Sequence, residues 1–336
     1  AMEIVGGLLT GARPDEAILA NLKTDMMKSR ADAKLNQSRC FRALQQYMLY
    51  GGDFIRRTTL TNPALETTTS EALLAKIQDL LGKQHEVLYY GPQSEKEVTE
   101  ALAAHHKTPA ELQPLEKKHV QLLPTNESRV LMAQYDAKQL YYMQFSNLGK
   151  QFDVTADPEI TLYNEYFGGG MNSIVFQEMR EARGLAYSAA ARIMQPGYAD
   201  RNYGYMAFIA TQNDKMQTAI EAFDEIINNM PESEAAFNIA KDGLISRLRT
   251  NRTVKDQVLW SYIDQRDMGL TEDRNKQIFE KVQSMTLADV KAAQEKWVKD
   301  RKYVYGILGD IQDLNLNYLK TLGPIQTVSQ EEIFGY

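Results

Sequence analysis

Slid by 218 residues against itself, the chain brings two of its stretches into register. "DEAILANLKTDMMKSR" falls on "SEAAFNIAKDGLISRLR", with Lys23 over Lys241. "MLYGGD" then meets "RDMGLT" with Gly51 over Gly269, Thr68 meets Thr286, and "HEVLYYGP" meets "RKYVYGILGD" with Gly91 over Gly309. Identity is low, but the spacing holds without gaps for about eighty residues, and the order helix, helix, helix, strand is kept. A supersecondary unit that occurs twice needs the same kind of core twice, so the duplication restricts the fold more than any single motif does.

Periodicity fills in the elements. Ile18, Leu19, Leu22, Met26 and Met27 lie at helical spacing in residues 14–30, and residues 36–50 and 70–82 repeat the pattern, the latter with Ser70 as expected N-cap. "EVLYYG" reads as a short strand closed by glycine. The second copy has more ahead of it. "SRVLMAQYD" and "QLYYMQFSN" are strand-like, and "DPEITLYNEYFGG" is helical, with Ile160, Tyr163 and Phe167 on one side. "LAYSAAARIM" and "YGYMAFIATQ" are strand-like again, and the helix "DKMQTAIEAFDEIINNM" stops before Pro231.

The expected fold is therefore α/β (α+β): tandem α/β sandwich repeats, one complete and one truncated, with a mostly antiparallel sheet and helices packed on one face. Residues 1–112 read as the back, mostly helical half of the truncated repeat. Residues 113–127, rich in proline and charge, read as a linker, and 128–336 as the complete domain. A length of 336 residues agrees with two cores rather than one. The truncated copy lacks most of its sheet, so its helices need another surface, and its uncovered apolar faces make a homo-dimer the expected alternative.

The net charge of −6, with no block of like charges, argues against nucleic acid as a partner. No run of about eighteen apolar residues exists, so no membrane span is expected. The start "AMEIVGGLLTG" carries no signal peptide and reads as a cut within a longer protein, with Ala1 a cloning remnant; cytoplasm and periplasm both stay open for the parent. Cys40, the one cysteine, shares an apolar stripe with Leu44 and Met48 and reads as a buried spacer, not a nucleophile.

The window "FGGGMNSIVFQEMREARGLAYS", residues 167–188, is the densest in chemistry. It is no phosphate loop: the lysine is absent, and the glycines follow a helical stretch where a Walker loop or dinucleotide fingerprint needs a strand. The helical reading explains more. Gly168 to Gly170 break one helix. From Asn172 onward, Ile174, Val175, Met179 and Ala182 share one side, Glu178, Arg180, Glu181 and Arg183 occupy much of the rest, and Gly184 stops the helix before a strand.

This glycine–helix–strand window resembles that of the pitrilysin/insulinase family of zinc metallopeptidases, the inverzincins, which pair tandem α/β repeats into two halves around a peptide. The resemblance implies that this chain corresponds to the non-catalytic C-terminal half, which forms one wall of the peptide chamber. Its partners would then be the N-terminal catalytic half and a peptide substrate. It also implies that an arginine and a tyrosine seven residues on hold the substrate backbone; the pattern falls on Arg180 and Tyr187. Each has a plainer reading, Arg180 as a surface arginine and Tyr187 as sheet packing. None of the residues three or four positions from Arg180 is acidic, and Glu178 and Glu181 are not expected to face it. Arg183 is the spare candidate and reads as a solvated helix residue.

Zinc would sit in the missing half, on an H-x-x-E-H motif that this chain lacks, so no metal and no catalytic residue is expected here. His85, His105, His106 and His119 show no such spacing. "HEVLY" has Tyr89 where a second ligand is needed, and along a strand residues four apart are roughly 13 Å distant. Each histidine reads as structural or solvent-facing. The alternative functional class is a peptide-binding or scaffold subunit, similar to non-catalytic processing-peptidase or respiratory-complex core subunits.

Overall fold

Cys40, Leu44 and Met48 recur every four residues, which lines them up along one side of a helix. In the computed structural model, which describes residues 2–116 and 118–336, all three are fully buried. Their helix belongs to a leading helical segment: α1 (Met2–Gly11), α2 (Glu16–Lys34), α3 (Gln37–Thr58), α4 (Asn62–Thr67), α5 (Ser70–Leu81) and α6 (Glu95–His105). After residues 106–128 come β1 (Arg129–Gln134), β2 (Gln139–Gln151), α7 (Asp157–Phe167), α8 (Ile174–Phe176), β3 (Ser188–Met194), β4 (Asn202–Gln212) and α9 (Met216–Asn228). The rest is α10 (Glu234–Thr250), α11 (Gln257–Asp267), α12 (Arg274–Val282), α13 (Leu287–Trp297), β5 (Val304–Gly309), α14 (Leu316–Leu322), β6 (Ile325–Thr327) and α15 (Gln330–Phe334). Among the described residues no helix is long and apolar enough to cross a membrane.

The strands form one sheet in the order β3-β4-β2-β5-β1-β6, antiparallel from β3 to β5 and parallel where β1 meets β5 and β6. Alternation gives it two apolar faces. Val130, Met132, Tyr142, Tyr205 and Ile307 point into a core shared with α7, α9, α10, α12, α13 and α14. Leu131, Ala133, Met143, Phe145 and Val304 point the other way, onto the stripe of α3. The core helices α7, α9, α10, α12, α13 and α14 thus lie on one face as expected, and α3 of the first copy covers the other. A Cβ on Gly306 would lie 2.1 Å from the Met48 sulfur, so a bare position at the centre of β5 is what lets α3 settle onto the strands. The C-terminal α15 laps over α3, with Ile333 buried and Lys34 paired to Glu331 at 3.1 Å.

Local chemistry repeats at the 218-residue offset. Asp15 and Ser233 cap α2 and α10, and Gly51 and Gly269 take φ of +81° and +71°. Lys23 Nζ donates to the carbonyls of Glu66 and Thr68, and Lys241 Nζ to that of Met285. The surroundings differ. Val258 and Tyr262 of α11, the counterparts of Cys40 and Leu44, are 48% and 63% exposed. The expected strand at residues 86–91 does not form: the segment is irregular and largely exposed, because among the described residues no strand offers it a hydrogen-bond ladder, as β1 and β2 do for its counterpart β5. The cap of α5 is Thr69, one residue ahead of the expected Ser70, whose N–H and hydroxyl both donate to Glu16 Oε1.

Two outcomes follow for stability. Leu44→Ala removes the centre of the α3 stripe and should cost about 2–5 kcal/mol in urea denaturation, against under about 1 kcal/mol for the matched but exposed Tyr262→Ala. Comparable losses at both sites would show that α3 is not anchored as described. Second, Gln144 Nε2 donates to Asp224 Oδ1 at 3.4 Å, and burial lifts the Asp224 carboxyl to about 6 from 3.8. Its folded pKa is raised, so its contribution is complete below about pH 4 and is lost as pH rises through 6. That loss is on the order of 2–3 kcal/mol. Asp224→Asn should flatten this fall in the pH dependence of the melting temperature.

Candidate functional site

Helix α3 spans only part of the face it covers. Over β3 and β4 the small side chains of Ser188 and Ala190 leave space, and a cavity of about 730 Å³ opens between these strands and α3. Phe208 and Met206 of β4 and Tyr141 of β2 make its floor, and Phe41, Arg42 and Gln45 of α3 make one wall. Phe41 meets Tyr141 and Phe208 at ring-centre distances of 5.3 and 5.4 Å, so the floor is aromatic and largely apolar. Arg192 extends from β3 into the same cavity, and Gly168, Gly169 and Tyr187 line its rim.

The glycine window builds that rim. Asn164, on α7, donates from Nδ2 to the Ile193 carbonyl at 3.0 Å and accepts from the Ile193 N–H at 2.8 Å. Its amide thus stands in for a neighbouring strand on the free side of the edge strand β3. A Cβ on Gly168 would lie 1.9 Å from the Ala191 carbonyl oxygen, so only glycine allows α7 to end this close to β3. Ser173 caps the next turn, its oxygen accepting from the Phe176 N–H. The helix expected from Asn172 is α for one turn only, in α8, and then widens into a π-helix over Gln177–Ala182. Such wide turns recur at functional sites. Gly184, at φ +58°, ends it where the sequence indicated, and Thr211 Oγ1 and the Tyr187 N–H tie the exit to β4.

Arg180 and Tyr187 come together on this scaffold. The guanidinium carbon lies 5.5 Å from the centre of the Tyr187 ring and 5.1 Å from that of Phe176, within cation–π range. Both are accessible: the Arg180 side chain is 44% and Tyr187 74% exposed. Arg180 also meets Glu181 at 3.7 Å, contrary to the expectation that this glutamate faces elsewhere; the widened turn departs from the spacing of an α-helix. Arg183 is more engaged than a solvated residue, with ion pairs to Glu225 at 2.7 Å and Glu178 at 3.5 Å.

The histidines stand apart from the cavity. His85 Nε2 lies 2.7 Å from His106 Nε2, and His119 Nδ1 lies 2.8 Å from Asp200 Oδ1 while its ring stacks on Tyr198. Among the described residues no three His, Cys, Asp or Glu side chains converge, so the donors present do not fit a zinc site. Sequence reasoning missed the contribution of α3. Phe41 was hidden beside the Cys40 stripe, and Arg42 and Arg192 look like ordinary surface cations until the fold brings them to one cavity.

A family profile described as the peptidase M16 inactive domain matches residues 71–244. Among solved structures, that of a peptidase M16 inactive domain from Pseudomonas fluorescens is similar with a TM-score of 0.65 and 17% identity, covering 92% of this chain and 74% of that one. A conserved protein from Enterococcus faecalis V583 is similar at a TM-score of 0.61 and 16% identity, over 88% of this chain and 68% of that one. A mutant of the ferredoxin protease FusC, solved in complex with Arabidopsis ferredoxin, is similar at a TM-score of 0.64 and 12% identity; the match spans 92% of this chain but 34% of that one. No curated protein matches.

The rim makes a specific demand on glycine. Gly168→Ala should cost roughly 1–3 kcal/mol by forcing α7 off β3, whereas Gly170→Ala, with open space around it, should be nearly neutral. Equal urea midpoints for the two variants would mean that the window does not press on the edge strand.

Proposed function

Because this chain belongs to the family of peptidase M16 inactive domains, we propose that it supplies the non-catalytic wall of a peptide-binding chamber and works beside a catalytic half that carries the zinc. In this reading the cavity between α3 and β3 holds an extended segment of substrate, and Arg180 and Tyr187 engage its backbone at the rim. The observation that carries it is an accessible guanidinium within cation–π range of an accessible phenol ring that borders an apolar floor.

The chemistry suits those two groups. A guanidinium presents a planar fork of N–H donors to a peptide carbonyl or carboxylate. A phenol O–H can donate to a carbonyl oxygen that gains negative charge as water adds, the role of an oxyanion hole. Packing Arg180 against Tyr187 restricts both side chains before substrate arrives, which lowers the ordering cost of binding. The family resemblance of residues 167–188 supports these roles, and the likeness to a protease crystallised with a protein partner supports a polypeptide as the occupant of the chamber. Alone, the chain should bind peptide without cleaving it.

Reconstitution tests the reading. Mixed with an H-x-x-E-H half, the chain should cleave a quenched peptide. Tyr187→Phe should lower kcat by about a hundredfold, and Arg180→Ala should raise KM about tenfold. Unchanged rates for both variants in an active complex would remove the assigned roles. Tight peptide binding with no hydrolysis in any assembly would point to the scaffold-subunit alternative.

A further inference from the structure

We propose that the cavity selects peptides bearing a carboxylate, with Arg42 and Arg192 as the specificity-determining pair; this rests on the peptide-chamber reading. The two arginines come from elements far apart in sequence, α3 and β3, and line the same cavity. Both are exposed, and among the described residues neither has a hydrogen bond, ion pair or ring partner.

Their surroundings cannot neutralise them. On α3 the positions three and four residues from Arg42 hold Ser38, Arg39, Gln45 and Gln46. On the strand face of Arg192 the neighbours are Ala190 and Met194, and Met206 lies directly across. The carboxylate that lines the cavity, Glu165, is already held by both terminal nitrogens of Arg247 at 2.6 and 3.1 Å. In a chain with 44 acidic and 38 basic residues, two unneutralised arginines in one concavity are not a reflection of overall charge.

The cavity also raises their effect. Phe41, Phe208 and Ala190 give it low-dielectric walls, which focus the field of a charge and strengthen its interaction with a bound counter-charge. Guanidinium groups match carboxylates through paired N–H donors. An occupant that satisfies both the floor and the cations is an extended peptide with an acidic group beside apolar or aromatic residues. A polyanion such as nucleic acid fits poorly, because two cations over an aromatic floor give it no continuous track of charge.

The carboxylate can belong to an Asp or Glu side chain or to a peptide C-terminus, and binding to the full chain distinguishes these. Fluorescein-labelled decapeptides would be titrated by anisotropy in four forms: a central Glu with an amidated C-terminus, the Gln equivalent, the Gln peptide with a free C-terminus, and the Lys equivalent. One or both carboxylate-bearing peptides should bind at least tenfold more tightly than the amidated Gln peptide, and the Lys peptide most weakly. The preference should shrink as salt rises. The double variant Arg42→Gln/Arg192→Gln should abolish the discrimination, while Arg42→Lys/Arg192→Lys should keep part of it; circular dichroism checks that both fold. Equal affinity for the Glu and Gln peptides with no gain from a free C-terminus, or a preference that survives the glutamine variant, overturns the selectivity. If peptides still bind without discrimination and Arg180→Ala weakens them, the chamber reading stands alone. If none of the four binds, both fail.

Discussion

The contact between α3 and the second face of the sheet is the constraint on which the other features depend. A sheet that is apolar on both sides must be covered twice, and α7, α9, α10, α12, α13 and α14 cover one side. The second cover comes from the leading segment, whose stripe of Cys40, Leu44 and Met48 meets β5 where Gly306 has no side chain to hold it off. Because a single helix is narrower than the sheet beneath it, α3 leaves β3 and part of β4 bare. The cavity is that uncovered remainder, and its contents follow from which side chains the outer strands present there.

The same contact explains why the two copies of the repeated segment differ. Their local devices are alike, down to the caps, the left-handed glycines and the lysine bonds to carbonyls in the connection between two helices. What differs is the sheet available to each. One copy has β5 paired on both sides; the other has an irregular segment at residues 86–91 with, among the described residues, no ladder to join. Local sequence sets the hydrogen bonds within a few turns, and the environment decides whether a strand-prone run becomes a strand.

The sequence made the local part of this legible. Helical stripes, alternating strands and the stop at Gly184 follow from patterns within about twenty residues, whereas the pairing of Arg180 with Tyr187 came from the family resemblance of the glycine window, which the inactive-domain profile also matches. Interactions set by distant partners were not legible. The π turn at Gln177–Ala182, the docking of α3 and the convergence of Arg42 with Arg192 each depend on elements that periodicity cannot relate. The missing strand at residues 86–91 is the same lesson in reverse, since its pattern is strand-like and no partner strand lies among the described residues.

The Met48–Gly306 contact joins positions more than 250 residues apart, and that separation governs the order of assembly. During synthesis α3 emerges well before β5, and its landing surface is incomplete until β5 has been made. Contacts of such long range close slowly, because the intervening loop must first give up its freedom. Between those two events the nascent chain therefore carries an apolar helix with nowhere to settle, the kind of exposed surface on which chaperones act.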